Sequence, residues 1–171
     1  FMNSGQTCIA PDYVLIHSSK EQEFLRLAAS NIDQLFYNNN LLDRASYGKI
    51  ISMSHYQRLK SLRDKAVEDG AQIIKGGVDC DEDQTIEPTL LNKVSVSSAI
   101  MQEEIFGPLL PVLTYDSVNK AIAFINQMPK PLALYIFSGS DDVIRNTIRQ
   151  TSAGGTCVND VVIHISNPNL P

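Results

Sequence analysis

Apolar runs alternate with segments of helical periodicity along most of the chain. Strands are predicted at 12–17, 72–75, 109–115, 133–137 and 156–165, and an extended segment at 85–94. Helices are predicted from Ser18 to the Asn38–Asn40 run, and at 54–68, 117–127 and 141–149. Because strands and helices follow one another in turn, the pattern predicts an α/β fold with a mostly parallel sheet and helices on both faces.

Local signals mark where several of these elements start and stop. Ser18, followed by Glu21 three residues later, predicts a capping box at the start of the first helix. Gly70 predicts the end of the second helix. Pro88 predicts an edge or irregular position, because proline cannot donate to a sheet. The acidic run at 79–83 predicts a solvated loop, and it lacks the spacing and glycine of a calcium loop, so no metal site is predicted.

The composition fits one globular domain and narrows the classes of function. The chain has 171 residues, of which 43% are hydrophobic and 19% are charged, and a single domain over residues 1–171 is predicted. The net charge is -5 and no basic stripe is present, which argues against nucleic-acid binding. Cys8, Cys80 and Cys157 have no Cys-x-x-Cys spacing, which indicates an intracellular, reducing compartment rather than a disulfide framework.

The run from Asn3 to Ala10 carries the strongest chemical signal. Cys8 directly follows Gly5, Gln6 and Thr7, and glycine allows the sharp turn that would aim a thiol into a pocket. Backbone N–H groups near such a turn would favour the thiolate, which is the nucleophilic form. A small residue buried in the core is the alternative that a free cysteine leaves open.

A second chemical signal lies at 102–108, directly before a predicted strand. It contains the adjacent carboxylates Glu103 and Glu104, then Phe106 and a Gly-Pro pair. Loops at strand ends are where α/β sheets bind ligands, so this segment is a candidate binding loop. In extended chain only one of the two carboxylates would face a given pocket. The alternative is a solvated acidic turn with Phe106 in the core.

Three motifs, in this order, resemble the aldehyde dehydrogenase family. They are Phe-x-Asn-x-Gly-Gln-x-Cys at 1–8, Glu-Glu-Ile-Phe-Gly-Pro at 103–108 and Gly-Gly-x-x-Val-Asn-Asp at 154–160. The segments at 8–14, 101–104 and 130–135 are similar to the class 3 and fatty aldehyde dehydrogenase branch in particular. The resemblance covers essentially the whole chain and implies the catalytic domain of that fold.

The resemblance implies a catalytic role for Cys8. Its thiolate would attack an aldehyde carbonyl to give a thiohemiacetal, hydride would leave to NAD or NADP, and water would hydrolyse the thioester. The backbone N–H of Cys8 would form part of the oxyanion hole. Glu104 would accept hydrogen bonds from the nicotinamide ribose, and Phe106 would help to place the nicotinamide ring.

The resemblance also implies roles for two residues near the end of the chain. Asn159 and His164 match positions near the substrate, although an ordinary structural histidine remains the alternative for His164. His17 and His55 match no catalytic position, and both are expected at the surface.

The family's dinucleotide-binding domain, general base and oxyanion asparagine lie upstream of its cysteine. The chain is therefore expected to be a truncated catalytic domain, without the dinucleotide-binding domain or the C-terminal tail, and inactive as a dehydrogenase by itself. The resemblance implies aliphatic, including long-chain, or aromatic aldehydes as substrates and a homodimer for the full-length protein. A fatty aldehyde enzyme would carry a membrane anchor beyond residue 171. The expected location is the cytoplasm or the cytoplasmic face of an internal membrane.

Two alternatives from other functional classes remain open. A cysteine hydrolase would use Cys8 with His164 and either Asn159 or Asn167, but the local signature of papain-like enzymes is absent. A non-catalytic module that self-associates through exposed sheet edges is the second alternative.

Overall fold

The predicted alternation of strands and helices is present in the computed structural model, which describes residues 1–166. The chain forms two compact units, the first at Phe1–Thr114 and the second from Tyr115 onward. In the described residues the helices are α1 (Glu21–Phe36), α2 (Met53–Glu68), α3 (Val118–Gln127) and α4 (Asp141–Gln150). Short 3-10 turns lie at Met2–Gly5, Ser18–Lys20, Ala99–Met101 and Ile163–Ser166.

The strands are short and form one larger sheet and three small ones. In chain order they are β1 (Val14–His17), β2 (Tyr37–Asn38), β3 (Leu41–Leu42), β4 (Gln72–Lys75), β5 (Asp79–Cys80), β6 (Thr85–Ile86), β7 (Thr89–Asn92), β8 (Leu109–Tyr115), β9 (Ala133–Ile136) and β10 (Gly155–Val158). The larger sheet has the order β1-β8-β7-β4, and the pairs are β9 with β10, β2 with β3 and β5 with β6. β7 and β8 are parallel, as are β9 and β10, whereas β4 is antiparallel to β7. The prediction of an α/β fold is confirmed.

The core of the first unit lies between α1 and the larger sheet. Leu25 and Ile32 on α1 pack with Leu90 of β7 and Val112 of β8. These four residues are all buried, because helical spacing places the first two on one face and alternation places the strand residues opposite them. Leu109, which points to the other face of β8, is 1% exposed. Both faces of β8 are therefore covered, which explains its nearly continuous apolar sequence.

The observed ends of α2 agree with the sequence prediction, whereas the start of α1 differs from it. α2 begins as predicted, with Ser52 at the N-cap accepting a hydrogen bond from the backbone N–H of His55 at 3.2 Å. It ends before Gly70, whose φ of 103° suits glycine. α1 begins later than the predicted Ser18 cap, because Ser18 opens a 3-10 turn and Lys20 occupies the N-cap.

Of two local predictions in this part of the fold, one is confirmed and the other is wrong. Pro88 lies in the irregular link before β7, outside either strand, which is one of the two positions predicted for it. The inner strand β7 begins with Thr89, which donates its backbone N–H to the carbonyl of Pro108 at 2.8 Å, so the proline takes no place in the sheet. The strand predicted at 156–165 ends at Val158, because Asn159 has a φ of 56° and leaves the extended conformation.

The acidic run at 79–83 is not a purely solvated loop. Asp79 lies 2.7 Å from Lys60 and 2.6 Å from Arg63, which both project from α2. Burial opposes ionisation of Asp79, but hydrogen bonds from these two cations hold its pKa below the usual value. The buried Tyr56 donates to Asp81 at 2.7 Å. Within residues 1–166 no cluster of three potential metal ligands occurs, and no helix there combines the length and apolar character needed to cross a bilayer.

Replacing Leu90 tests the position of this core. Leu90→Ala removes a side chain with 0% exposure, and we expect it to lower the free energy of unfolding of the first unit by about 2–5 kcal/mol. Leu41→Ala is the matched control, because Leu41 is 73% exposed on β3 and should change stability little. Chemical denaturation measures both. Equal losses in the two variants would contradict this core.

Candidate active site

Cys8 lies in an exposed turn that follows a strained segment. Asn3, Ser4 and Gly5 have φ values of 51°, 53° and 71°, so three consecutive residues are left-handed. Residues other than glycine rarely adopt this conformation, and it persists only where surrounding contacts hold it. Cys8 follows in a turn closed by the N–H of Ala10 and the carbonyl of Thr7 at 2.9 Å. The side chain of Cys8 is exposed, so the alternative of a core residue is wrong.

Side chains of the same motif tie this loop to the segment at 48–51. The hydroxyl of Ser4 donates to the carbonyl of Gly48 at 2.6 Å. The amide of Gln6 donates to the carbonyl of Lys49 at 2.9 Å and accepts from the N–H of Ile51 at 2.9 Å. Gln6 therefore both donates to and accepts from the backbone of this segment, as a neighbouring strand would. These two bonds explain why the motif has a glutamine at this position.

Two glycines bring the Cys8 loop against the turn at 103–108. A Cβ added to Gly5 would lie 2.1 Å from the carbonyl oxygen of Gly107. A Cβ added to Gly107 would lie 2.5 Å from a methyl group of Leu59 on α2. The Cys8 loop, this turn and α2 are thus stacked at distances that leave no room for a side chain at either glycine.

The turn at 103–108 presents Glu104 outward and holds Phe106 in an unusual conformation. Glu104 is exposed, and within residues 1–166 its carboxylate has no hydrogen-bond or ion-pair partner. Phe106 has a φ of 52° and is half-buried, with its ring centroid 6.2 Å from that of His55. Glu104 is therefore free to accept hydrogen bonds from a ligand, and Phe106 is not a core residue.

His55 and Arg58, one turn apart on α2, hold the backbone of this turn. His55 Nε2 donates to the carbonyl of Phe106 at 2.8 Å. Arg58 donates to the carbonyls of Glu104 at 3.2 Å and Ile105 at 2.5 Å. The expectation that His55 is a surface residue is wrong. The spacing of His55 and Arg58, three residues apart on a helix, was the sequence signal that could have indicated this role. Two basic residues on one side of a helix usually face solvent, however.

Asp12 provides a second link between the Cys8 segment and the same turn. Its Oδ1 accepts a hydrogen bond from the N–H of Ile105 at 3.0 Å. Burial raises the pKa of Asp12, the hydrogen bond from Ile105 opposes this rise, and the negative charge of Glu104 adds to it. Cys8 thus lies between two attachments to one turn, at Gly5 on one side and Asp12 on the other.

The second unit contains the two residues predicted near the substrate. Asn159 uses both polar atoms on the backbone of Ser138, accepting from its N–H at 2.9 Å and donating to its carbonyl at 3.1 Å. His164 Nδ1 lies 3.1 Å from the sulfur of the buried Cys157, and its ring covers Gly155. These contacts connect the ends of β9 and β10 and bind His164 to the sheet. Asn167, the alternative partner in a hydrolase, lies outside the described residues.

Replacing Gly5 tests the close approach of the two loops. Gly5→Ala adds a Cβ that overlaps Gly107, so we expect a loss of stability and a changed rate of Cys8 labelling by a thiol reagent. Gly70→Ala is the matched control: it has the same sign of φ and nothing within 4 Å, so only the conformational cost of about 1–2 kcal/mol applies. The free energy of unfolding and the rate of Cys8 labelling should both differ between the two variants. Equal values for both variants would exclude the close contact between Gly5 and Gly107.

The environment of Asp12 predicts a pH dependence of stability. Because the folded state raises its pKa above 3.8, the folded state binds the proton more tightly, and stability falls as pH rises from 3.8 through the raised pKa of the folded state. Asp12→Asn keeps the acceptor oxygen and removes the charge. Its free energy of unfolding relative to wild type should therefore increase over that window, as measured by denaturation at several pH values. Glu82→Gln, at an exposed carboxyl, controls for the lost charge. A constant difference would contradict the prediction.

Comparison with known proteins identifies the family of this chain. Residues 1–170 match the aldehyde dehydrogenase family. The 4,4'-diaponeurosporen-aldehyde dehydrogenase of Staphylococcus aureus is 46% identical over 171 residues, which are 100% of this chain and 36% of that protein. The dimeric NADP-preferring aldehyde dehydrogenase of Rattus norvegicus is 43% identical, with the same 100% and 36% coverage.

A solved structure supports the same assignment. The substrate-bound state of Staphylococcus aureus AldH has a TM-score of 0.93 and 44% identity, covering 100% of this chain and 36% of that one. The chain thus spans about a third of the length of these relatives, 36% in each case. Fold, motif order and sequence similarity agree, and the chain belongs to the aldehyde dehydrogenase family.

Proposed function

We propose that this chain is the catalytic part of an NAD(P)-dependent aldehyde dehydrogenase and that Cys8 is its nucleophile. The observation that carries the proposal is the exposed Cys8 on a loop attached, at Gly5 and Asp12, to the turn that presents Glu104. A nucleophile and a ligand-binding carboxylate held on one framework match the chemistry of this family. Its members are named as dehydrogenases of aldehydes.

The covalent step uses Cys8 in two ways. Its thiolate adds to the aldehyde carbon, an S–C bond forms, and the carbonyl π electrons move to oxygen. The backbone N–H of Cys8 has no acceptor within residues 1–166, so it is free to donate to the oxyanion. The adduct keeps the aldehyde hydrogen on carbon. After oxidation, hydrolysis of the thioester releases the carboxylic acid and restores the thiol.

The turn at 103–108 fits a nicotinamide cofactor. The exposed, unpartnered carboxylate of Glu104 suits the vicinal hydroxyls of a ribose, which are hydrogen-bond donors. Phe106, held half-buried beside it, would lie against the nicotinamide ring. The bound cofactor would supply the hydride acceptor, while these residues orient it. A relative described as NADP-preferring leaves both NAD and NADP as candidates.

The substrates we propose are aliphatic, including long-chain, or aromatic aldehydes. Support comes from the names of two relatives, the 4,4'-diaponeurosporen-aldehyde dehydrogenase and an aldehyde dehydrogenase described as family 3 member A2. We further propose a homodimer for the complete protein, since a relative is described as dimeric. A cytoplasmic location, or attachment to an internal membrane through an anchor beyond residue 171, completes the proposal.

Two assays of Cys8 variants test this function. The 171-residue chain is expected to hydrolyse p-nitrophenyl acetate slowly and to oxidise aldehydes with NAD+ or NADP+ at a trace rate at most. The complete protein that contains this chain is expected to oxidise a long-chain aldehyde readily. Cys8→Ser should abolish both activities, because an unactivated hydroxyl is a far weaker nucleophile than a thiolate.

Cys80→Ser is the matched control for these assays, because Cys80 lies on β5 in the acidic run and should leave both activities unchanged. Retention of aldehyde oxidation by Cys8→Ser would overturn the proposed function. Rapid oxidation by the isolated chain would overturn the expectation that the rest of the protein is required.

A further inference from the structure

We propose that His55 and Arg58 are positioning residues for the cofactor: together they fix the backbone at 104–106 so that Glu104 and Phe106 are presented to it. The inference rests on the proposed dehydrogenase function. Neither residue belongs to the motifs that resemble the family. Both residues lie on α2 and reach the turn only in the folded structure, because more than 40 residues separate them from it in sequence.

The first argument is the number of backbone groups that these two side chains bind. The carbonyls of Glu104, Ile105 and Phe106 accept at 3.2, 2.5 and 2.8 Å, and all three donors come from His55 or Arg58. Three successive carbonyls are thereby directed towards α2. A turn with a positive φ at Phe106 needs such external bonds, because the conformation is unfavourable for a residue with a Cβ.

The second argument is that the two side chains are coupled. Arg58 also lies 3.2 Å from Nδ1 of His55. Because Nδ1 accepts from a guanidinium, which can only donate, Nε2 carries the proton and can donate to Phe106. Arg58 therefore acts on Phe106 indirectly, by selecting the tautomer of His55, and on Glu104 and Ile105 directly.

The third argument concerns the pair of adjacent glutamates. Arg58 pairs with the carboxylate of Glu103 at 2.5 Å, whereas the carboxylate of Glu104 has no partner within residues 1–166. One carboxylate thus holds the turn against α2, and the other remains available for a ligand. This division gives Glu103 an anchoring role and Glu104 a binding role.

The fourth argument is that α2 itself does not depend on His55. The helix is held by Tyr56, Leu59 and Leu62, which are 0%, 0% and 3% exposed. His55 and Arg58 are only half-buried. Truncating either side chain should therefore loosen the turn without unfolding the helix, which makes the role separable from general stability.

Hydrogen exchange in the purified chain provides a test that needs no cofactor. In His55→Ala and in Arg58→Ala, the amides of Ile105 and Phe106, which donate to the carboxylate of Asp12, should exchange roughly tenfold faster, as expected when the turn that aligns these bonds is loosened. Gln57→Ala, on the exposed side of the same helix, is the matched control and should leave exchange unchanged. His55→Gln retains a donor and should restore much of the protection. Unchanged exchange in both alanine variants would overturn the inference.

Kinetics in the complete protein provide the second test. We expect the KM for NAD+ or NADP+ to rise roughly tenfold in His55→Ala, with clearly smaller changes in the KM for aldehyde and in the Cys8-dependent ester hydrolysis. His55→Gln should again restore the cofactor KM. Equal losses in ester hydrolysis and in cofactor use would overturn the inference, because they indicate general damage. If wild type oxidises no aldehyde, the proposed function fails, while the exchange experiment still decides whether these residues hold the turn.

Discussion

The contact between the backbones of Gly5 and Gly107 is the constraint on which the candidate site depends. A single added carbon at Gly5 would lie 2.1 Å from the carbonyl of Gly107, and one at Gly107 would collide with Leu59. The Cys8 loop can reach the turn at 103–108 only because both positions lack a Cβ. The left-handed conformations of Asn3 and Ser4 follow from the same approach, since the chain must turn sharply before Cys8. Strain there is tolerated because Ser4 and Gln6 are bonded to the neighbouring segment at 48–51.

Helix α2 binds polar groups at two places along its length. Towards its N-terminus, His55 and Arg58 bind backbone carbonyls of the turn at 104–106. Further along, Lys60 and Arg63 pair with Asp79. Its apolar face, meanwhile, is buried in the first unit. Ion pairs and hydrogen bonds therefore stabilise this largely polar helix in addition to the burial of its apolar face. The same hydrogen bonds fix the position of the turn that carries Glu104.

The groups that remain free are as informative as those that are bonded. Gln6, Asp12, Arg58 and Glu103 all have partners within the first unit. Within residues 1–166, the thiol and N–H of Cys8 and the carboxylate of Glu104 have none. Polar groups that a fold holds rigidly yet leaves without partners are the ones that can bind a ligand. Both kinds of group occur within the motifs at 1–8 and 103–108, where Gln6 and Glu103 are bonded and Cys8 and Glu104 are free.

Most helices and strands could be predicted from the sequence, because periodicity and end signals such as Gly70 act within a few residues. The motifs around Cys8 and Glu104 were also visible, since they are contiguous. The tertiary structure alone decided that His55 is a positioning candidate rather than a surface residue, that Pro88 precedes an inner strand, and that the acidic run is tied to α2. Each of these depends on partners that folding brings together from distant parts of the chain. Arg63 and Asp79 are 16 residues apart in sequence, and His55 and Phe106 are 51 apart. Local sequence determines which conformation a segment prefers, whereas the packing of distant segments determines which polar groups are bonded and which remain free for chemistry.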